Sequence, residues 1–206
     1  MNFIDEHIEK VLKVYTEGEY YDLLKSAKDL YINLTGKMDE DTSEYESRMN
    51  TFNDWFIFNF RREDTRRVID DYIQDHSIDP ELAKSFHNIN YSLFHFVKIN
   101  FRKQIILKDI LHDEKFVLSK EDCNLALLED DVFVGRLVSH ESKNYLLKGV
   151  CTLPRETFNI LKKQAKKIRK LSSIEEEEKF LLLLEKLKIK SLHYGHLNSE
   201  KIFIFN

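Results

Sequence analysis

The spacing of the apolar residues changes twice along this chain of 206 residues, and these changes limit the folds open to it. Up to about residue 91, apolar side chains recur three and four positions apart, as on one face of a helix. From 92 to 153 they form short runs typical of β-strands, and from 154 the helical spacing returns. The pattern predicts an α+β fold with regions 1–91, 92–153 and 154–206, in one compact unit or two halves that share a core.

The first region predicts five helices. Helices over 3–16 and 19–35 would form an antiparallel hairpin, because Gly18 and Gly36 follow them as helix-ending residues. Further helices are predicted from about residue 42, over 65–75, and from Asp79-Pro80 to about Asn90. In the last of these, Asp79 is the N-cap and Pro80 the first helical residue.

The middle region predicts a small antiparallel sheet that curls into a half-barrel. The last region predicts a C-terminal helical hairpin, with Ser172-Ser173 before its second helix, and a terminal strand that could extend the sheet edge. The predicted strands cover 92–99, 104–107, 115–118, 132–138, 145–151 and 201–205, and the helices of the hairpin cover 155–171 and about 174–190.

An aromatic segment, FNDWFIFNF at 52–60, contains the only tryptophan of the chain. Its regular helical spacing favours a core seam between the helical half and the sheet. A groove for a peptide or a stacked base is the alternative. The residues concerned are Phe52, Trp55, Phe56 and Phe58.

A basic amphipathic segment, LKKQAKKIRK at 161–170, is the second candidate site. Its cations lie opposite the apolar stripe at 161, 165 and 168, and could contact a phosphate backbone or an acidic protein. The alternative is a solvated face that the acidic run at 175–178 partly neutralises. The candidate binding residues are Lys162, Lys163, Lys166, Lys167, Arg169 and Lys170.

The charge is unevenly distributed. The net charge is −4 at pH 7, but residues 1–100 hold 12 Lys and Arg against 20 Asp and Glu, whereas 101–206 hold 20 against 16. Only the second half therefore carries the sign that attracts an anionic partner.

Motifs that would carry chemistry are missing from the sequence. Phosphate-binding glycine loops, nucleophile elbows and paired CxxC or HExxH motifs do not occur, and the chain has five glycines in all. His193 and His196 lack a visible third ligand, so we expect no metal and no cofactor. An enzyme with an unrecognised site stays open, although the sequence leans against it.

The remaining composition indicates a soluble cytoplasmic protein without membrane contact. Acidic residues occur within the first ten positions, and no apolar run approaches the ~18 residues of a membrane span. Cys123 and Cys151 are more typical of two thiols in a reducing compartment than of a disulfide. The oligomeric state is left open.

Several aromatic and hydrophobic motifs between about residues 50 and 170 resemble an uncharacterised bacterial region often found beside SEC-C zinc motifs. They include W-F-x-F at 55–58, S-L-F-x-F-V at 92–97, the segment 107–117, D-D-V-F-V-G-R-L-V at 130–138, and Leu153-Pro154. The cysteine-rich SEC-C motif itself is missing, so the resemblance implies no metal. It implies the same α+β architecture and no established activity.

The sequence thus favours a non-enzymatic protein-interaction or adaptor protein with a protein partner. A nucleic-acid-binding accessory protein that uses the 161–170 helix is the first alternative, since nucleic-acid affinity of this kind depends on clustered cations.

Overall fold

The protein, described by a computed structural model over residues 2–120, 123 and 125–205, has the predicted α+β architecture. Within these residues the helices are α1 Phe3–Tyr15, α2 Tyr21–Thr35, α3 Tyr45–Phe58, α4 Val68–Asp75, α5 Pro80–His87, α6 Phe158–Arg169 and α7 Ile174–His193. The strands are β1 Asn90–Ile99, β2 Gln104–Asp109, β3 Lys115–Ser119, β4 Val132–His140, β5 Lys143–Leu146 and β6 Cys151–Leu153.

Local capping fixes several of the helix ends. The Asp79 carboxylate accepts hydrogen bonds from the Glu81 and Leu82 amides at 3.0 and 3.1 Å, with Pro80 at the first helical position. Gly36 ends α2 with a φ of 98°, a backbone conformation that a side chain would strain. The first two helices and the fifth thus begin or end where their turn residues predict.

The antiparallel sheet has the order β3-β2-β1-β4-β5, and β6 pairs with the remaining part of β4. The sheet curls until β3 and β5 approach each other, and the Asn144 amide donates to the Val117 carbonyl across the gap at 3.0 Å. Phe94, Phe96 and Phe133 fill the interior of the curl. The predicted half-barrel is confirmed.

Two predicted strands differ from the structure. The run over 145–151 is divided, because residues 147–150 turn toward α3, where the Gly149 amide donates to Asp54 at 2.8 Å. A Cβ at Gly149 would lie 2.7 Å from the Asn50 carbonyl oxygen and would also clash with the Asp54 carboxylate, so only glycine fits.

The terminal strand over 201–205 does not form. Residues Ser199–Lys201 make a 3₁₀ turn, and the amides of Ile202 and Phe203 bond locally to the Ser199 carbonyl. Ile202 and Phe203 are buried in the core beneath α6 and α7. The alternating pattern therefore reflects burial of single side chains and not pairing with a sheet edge.

The aromatic residues of α3 lie inside the core. Phe52, Trp55, Phe56 and Phe58 are each at most 3% exposed. Their cluster also contains Val138, Tyr145 and Leu147 from the sheet side and Leu182 from α7. The core of the first region is thus built partly from the other two.

A buried polar network crosses the same core. The Glu185 carboxylate accepts hydrogen bonds from the hydroxyls of Tyr31 and Tyr91, the latter at 3.0 Å, and lies 3.6 Å from Arg48. Arg136, fully buried, stacks 3.8 Å above the Tyr91 ring. This network links α2, α3 and α7 to the two central strands.

Candidate functional site

A groove of about 700 Å³ lies between the outer face of the sheet and helix α6. Strands β1, β2 and β3 provide one wall, and α6 provides the other. A cavity of this size is in the range of ligand sites in proteins. The groove contains three of the six cations predicted from the sequence: Lys162, Lys166 and Arg169.

The floor of the groove is apolar. It is formed by Val97, Ile106, Ile110 and Phe158, and the Phe158 ring lies 4.7 Å from the imidazole of His95. Val97 follows His95 on this face by strand alternation, and an irregularity in β1 also turns Lys98 to it, because the pairing with β2 shifts between Phe96 and Lys98. A ligand on this floor would remove apolar surface from water.

Four exposed lysines border this floor, two on each wall. Lys98 and Lys115 extend from the sheet, and Lys162 and Lys166 lie one turn apart on α6. None of the four forms an ion pair with another residue of the described ranges. The groove is therefore locally cationic although the whole chain is acidic.

Arg169 has a structural role at the end of the groove. Its guanidinium donates to the carbonyl oxygens of Leu111 and Ile110 at 2.5 and 2.8 Å, and its Nη1 lies 3.6 Å from Asp113. It joins α6 to the turn after β2. Because its donors are already engaged, it is the predicted binding residue least suited to a ligand.

Asp113 is the counterion that the groove already contains. Its carboxylate lies 2.5 Å from the Lys108 ammonium, which lowers the pKa of Asp113. Lys108 is directly opposite Lys115 across the β2–β3 pair, a placement in which like charges repel. Asp113 offsets that repulsion at Lys108 and leaves Lys115 unpaired among the described residues.

The other predicted cations lie elsewhere. Lys163 and Lys167 border a smaller depression of about 220 Å³ beside Phe203 and Phe205, and Lys170 is exposed at the C-terminal end of α6. The acidic run at 175–178 forms no ion pair with the α6 lysines in the part of the chain that the structure describes; Glu177 pairs with His112 and Glu176 with Lys179. No direct ion pair with this run therefore neutralises the basic face among the described residues, and the alternative of a solvated face stays a prediction.

Sequence reasoning missed the sheet half of the groove. Lys98 and Lys115 stand singly in short strands, so no charge run marks them. Alternation with the buried Leu118 places Lys115 on the outer face, whereas Lys98 reaches that face through the register shift in β1, which alternation does not predict.

A second polar cluster contains serine, histidine and aspartate, the residue types of a catalytic triad. The Asp109 carboxylate accepts from the Ser92 hydroxyl at 2.6 Å and faces the His112 Nδ1 at 2.9 Å, while the His112 Nε2 lies 3.2 Å from Glu177. The bond to Asp109 raises the pKa of His112 to about 9. Ser92 also lies 3.3 Å from the His112 Nδ1, but its hydroxyl donates to Asp109 and it is fully buried, so it is not an accessible nucleophile in this structure. The cluster joins the turn after β2 to α7.

Neither a metal-binding cluster nor a membrane-spanning helix occurs in the part of the chain that the structure describes. In residues 2–120, 123 and 125–205, no set of three His, Cys, Asp or Glu side chains is placed to hold a metal ion. Over the same ranges, none of the helices has the length and apolar character needed to cross a bilayer.

The fold and the groove define an α+β protein in which helices cover an antiparallel half-barrel and one open face remains basic. The chain belongs to a family of unknown function (DUF7986), which matches residues 5–183. No curated protein and no solved structure matches this chain. The half-barrel and the groove lie within the matched residues. The resemblance to the region beside SEC-C motifs stays a prediction.

Proposed function

We propose that this protein is a non-enzymatic protein-interaction module whose groove binds an acidic, amphipathic segment of a partner protein. The observation that carries the proposal is the arrangement of Lys98 and Lys115 opposite Lys162 and Lys166, with an apolar floor between them. Acidic side chains of the bound segment would meet the lysines on either wall, and its apolar side chains would cover the floor.

The composition of the floor favours a peptide over nucleic acid. Three of its four residues, Val97, Ile106 and Ile110, are aliphatic, and only Phe158 is aromatic. Single-stranded nucleic acid is generally bound by several aromatic rings on which successive bases stack. Aliphatic floors suit the apolar side chains of a bound helix or strand.

We place this interaction in the cytoplasm. Cys123 and Cys151 are both free thiols, and Cys151 is buried. Free thiols are typical of a reducing compartment.

The proposal is tested by fluorescence anisotropy with a labelled acidic amphipathic peptide. A second peptide, in which serine replaces every apolar residue, tests the contribution of the floor. We expect K162E/K166E to weaken binding of the first peptide by roughly tenfold or more, because charge reversal places repulsive groups on one wall. The matched control is K163E/K167E, which makes the same change in net charge on the same helix outside the groove.

Equal weakening by the two double variants would contradict the groove proposal, since only net charge would then matter. Equal affinity for the two peptides would contradict a role for the apolar floor.

Nucleic acid remains the second candidate, because the groove lysines belong to two walls and could follow a phosphate backbone. It predicts that a labelled single-stranded oligonucleotide binds more tightly than the acidic peptide. The logarithm of the oligonucleotide's association constant would fall linearly with the logarithm of the salt concentration, with a slope of about −0.7 for each neutralised phosphate. A salt-insensitive oligonucleotide affinity would remove this candidate.

A further inference from the structure

The turn between β1 and β2 presents an aromatic side chain directly to solvent. Phe101 is 91% exposed, the highest value among the large apolar side chains that the structure describes. Single exposed apolar residues are common on protein surfaces, but few project this completely. The position of Phe101 at the apex of a hairpin therefore requires an explanation.

The apex is held in one conformation by its own hydrogen bonds. The Asn100 side-chain oxygen accepts from the amides of Arg102 and Gln104 at 2.9 and 3.0 Å. The backbone of Asn100 also pairs with Gln104 and accepts from the Lys103 amide. Phe101 is thus displayed by an ordered turn, and little conformational freedom would be lost when it is buried against a partner.

The apex is also cationic. Lys98, Arg102 and Lys103 lie within three positions of Phe101 in the chain, and the Arg102 guanidinium carbon lies 5.5 Å from the centre of its ring. Lys103 adopts a φ of 57°, in the left-handed region that glycine and asparagine adopt more readily. Glu129, whose carboxylate accepts from the Ile99 amide at 2.8 Å, is the acidic group bonded to this end of β1.

We propose that this hairpin apex docks on an anionic phospholipid surface, with Phe101 inserted among the acyl chains and Arg102 and Lys103 at the phosphate groups. The inference goes beyond the groove function and does not depend on it. A protruding aromatic side chain is buried only by a partner that can enclose it. The acyl chains of a fluid bilayer rearrange around an inserted side chain, so no preformed pocket is required. Cations that flank the ring complement the negative surface of a cytoplasmic leaflet.

This proposal differs from the expectation of no membrane contact. That expectation rested on apolar runs and on amphipathic helices. A membrane-docking apex of four residues produces neither pattern, so little in the sequence points to it.

The test uses Phe101→Trp in the full chain. The native Trp55 is 3% exposed and provides a constant background signal. We expect the emission of the introduced tryptophan to shift to shorter wavelength on vesicles of phosphatidylcholine with roughly a third of phosphatidylserine, and not on phosphatidylcholine alone. Lipids brominated on their acyl chains should quench the shifted emission, because the ring would lie within the acyl region.

Cosedimentation with the same vesicles then assigns the contacts in the native chain. F101S and R102E/K103E should each reduce binding, the latter by roughly 25-fold or more, since each cation near an anionic surface contributes about fivefold. I174S is the matched control for an exposed apolar side chain, because Ile174 is 77% exposed at the start of α7. Melting temperatures of all variants should stay near the native value.

The proposal is overturned if the native chain does not sediment with anionic vesicles at low salt, or if F101S sediments as well as I174S. It is also overturned if adding K162E/K166E to the Phe101→Trp chain abolishes the emission shift, because the groove and not the apex would then hold the lipid. If the native chain fails to bind the acidic peptide while the emission shift of the Phe101→Trp chain is preserved, the groove function alone is contradicted.

Discussion

At the scale of single residues, the carboxylate of Asp54 sets part of the pH dependence of stability. Asp54 is 3% exposed and accepts a hydrogen bond from the Gly149 amide. Burial raises its pKa to about 6, from an ordinary 3.8, although the Arg136 charge opposes the shift. The folded chain therefore binds this proton more tightly than the unfolded chain does.

The sign of the effect follows from that difference. Between the two pKa values the folded state holds more protons than the unfolded state, so the free energy of unfolding falls as pH rises toward and through 6. Asp54→Asn removes the titrating group and keeps an oxygen for the Gly149 amide. We expect the stability of the Asn variant relative to the native chain to increase by on the order of 2 kcal/mol between pH 4.5 and pH 7.5.

Urea unfolding of both chains at the two pH values measures this difference. Titrations of all other groups cancel in the comparison. A stability difference that does not change with pH would mean that Asp54 titrates normally in the folded chain.

Arg169 provides a second prediction at this scale. Because it donates to two backbone carbonyls of the turn after β2, Arg169→Ala should lower the free energy of unfolding by about 1–3 kcal/mol. Lys170→Ala, the exposed neighbour, should have little effect. Urea denaturation distinguishes the two. If Lys170→Ala lowers the free energy of unfolding and Arg169→Ala does not, the role of Arg169 in joining α6 to the turn after β2 is contradicted.

At the scale of secondary-structure elements, α3 is the seam that joins the helical half to the sheet and α7. Trp55 contacts the rings of Tyr31 and Phe60 at centroid distances of 5.3 and 5.6 Å. We expect Trp55→Ala to lower the free energy of unfolding by about 3–5 kcal/mol, because a large cavity replaces the ring. Tyr21→Ala, at a side chain that is 60% exposed, should change it little. Thermal unfolding followed by circular dichroism measures both, and a native melting temperature for Trp55→Ala would rule out the core role.

Elements with regular spacing could be predicted from the sequence, and elements decided by a distant contact could not. The helices α1 and α2 and the strands β1 to β4 each carry their own periodic pattern and end at local turn residues. The division between β5 and β6 depends on Gly149 meeting Asp54, which is 95 positions away. The terminal segment has a strand pattern, but Ile202 and Phe203 are buried individually beneath helices.

The groove illustrates the same limit. The charge run on α6 identified one wall, but Lys98 and Lys115 become part of the site only when the sheet folds against that helix. Within the run, sequence could not separate Lys162 and Lys166 from Arg169, because the carbonyls that engage Arg169 belong to a turn 58 and 59 positions away.

At the scale of the whole molecule, the three predicted regions share their cores. The cluster around α3 includes Tyr145 from β5 and Leu182 from α7, and Leu93 of β1 belongs to the cluster of α6 and α7. Each region alone would leave apolar faces uncovered. We therefore expect one cooperative unfolding transition for the full chain and no stable fold for the fragment 1–91.

Denaturant unfolding followed by Trp55 fluorescence and by far-ultraviolet circular dichroism tests this expectation. Trp55 reports on the helical half, whereas the circular dichroism signal reports on all elements, so coincident midpoints indicate one unit. Separate midpoints, or a folded 1–91 fragment with dispersed amide resonances, would indicate independent domains.

The buried network around Glu185 has a consequence for how this family can change through evolution. Removing Glu185 alone would leave Arg48 as a buried charge without its carboxylate, at a cost of about 3–5 kcal/mol. Replacing both residues together by apolar residues of similar volume would be close to neutral. Natural variation at positions 48 and 185 should therefore be inherited as a pair: homologous chains that lack the glutamate should also lack Arg48, and intermediates with one change should be rare.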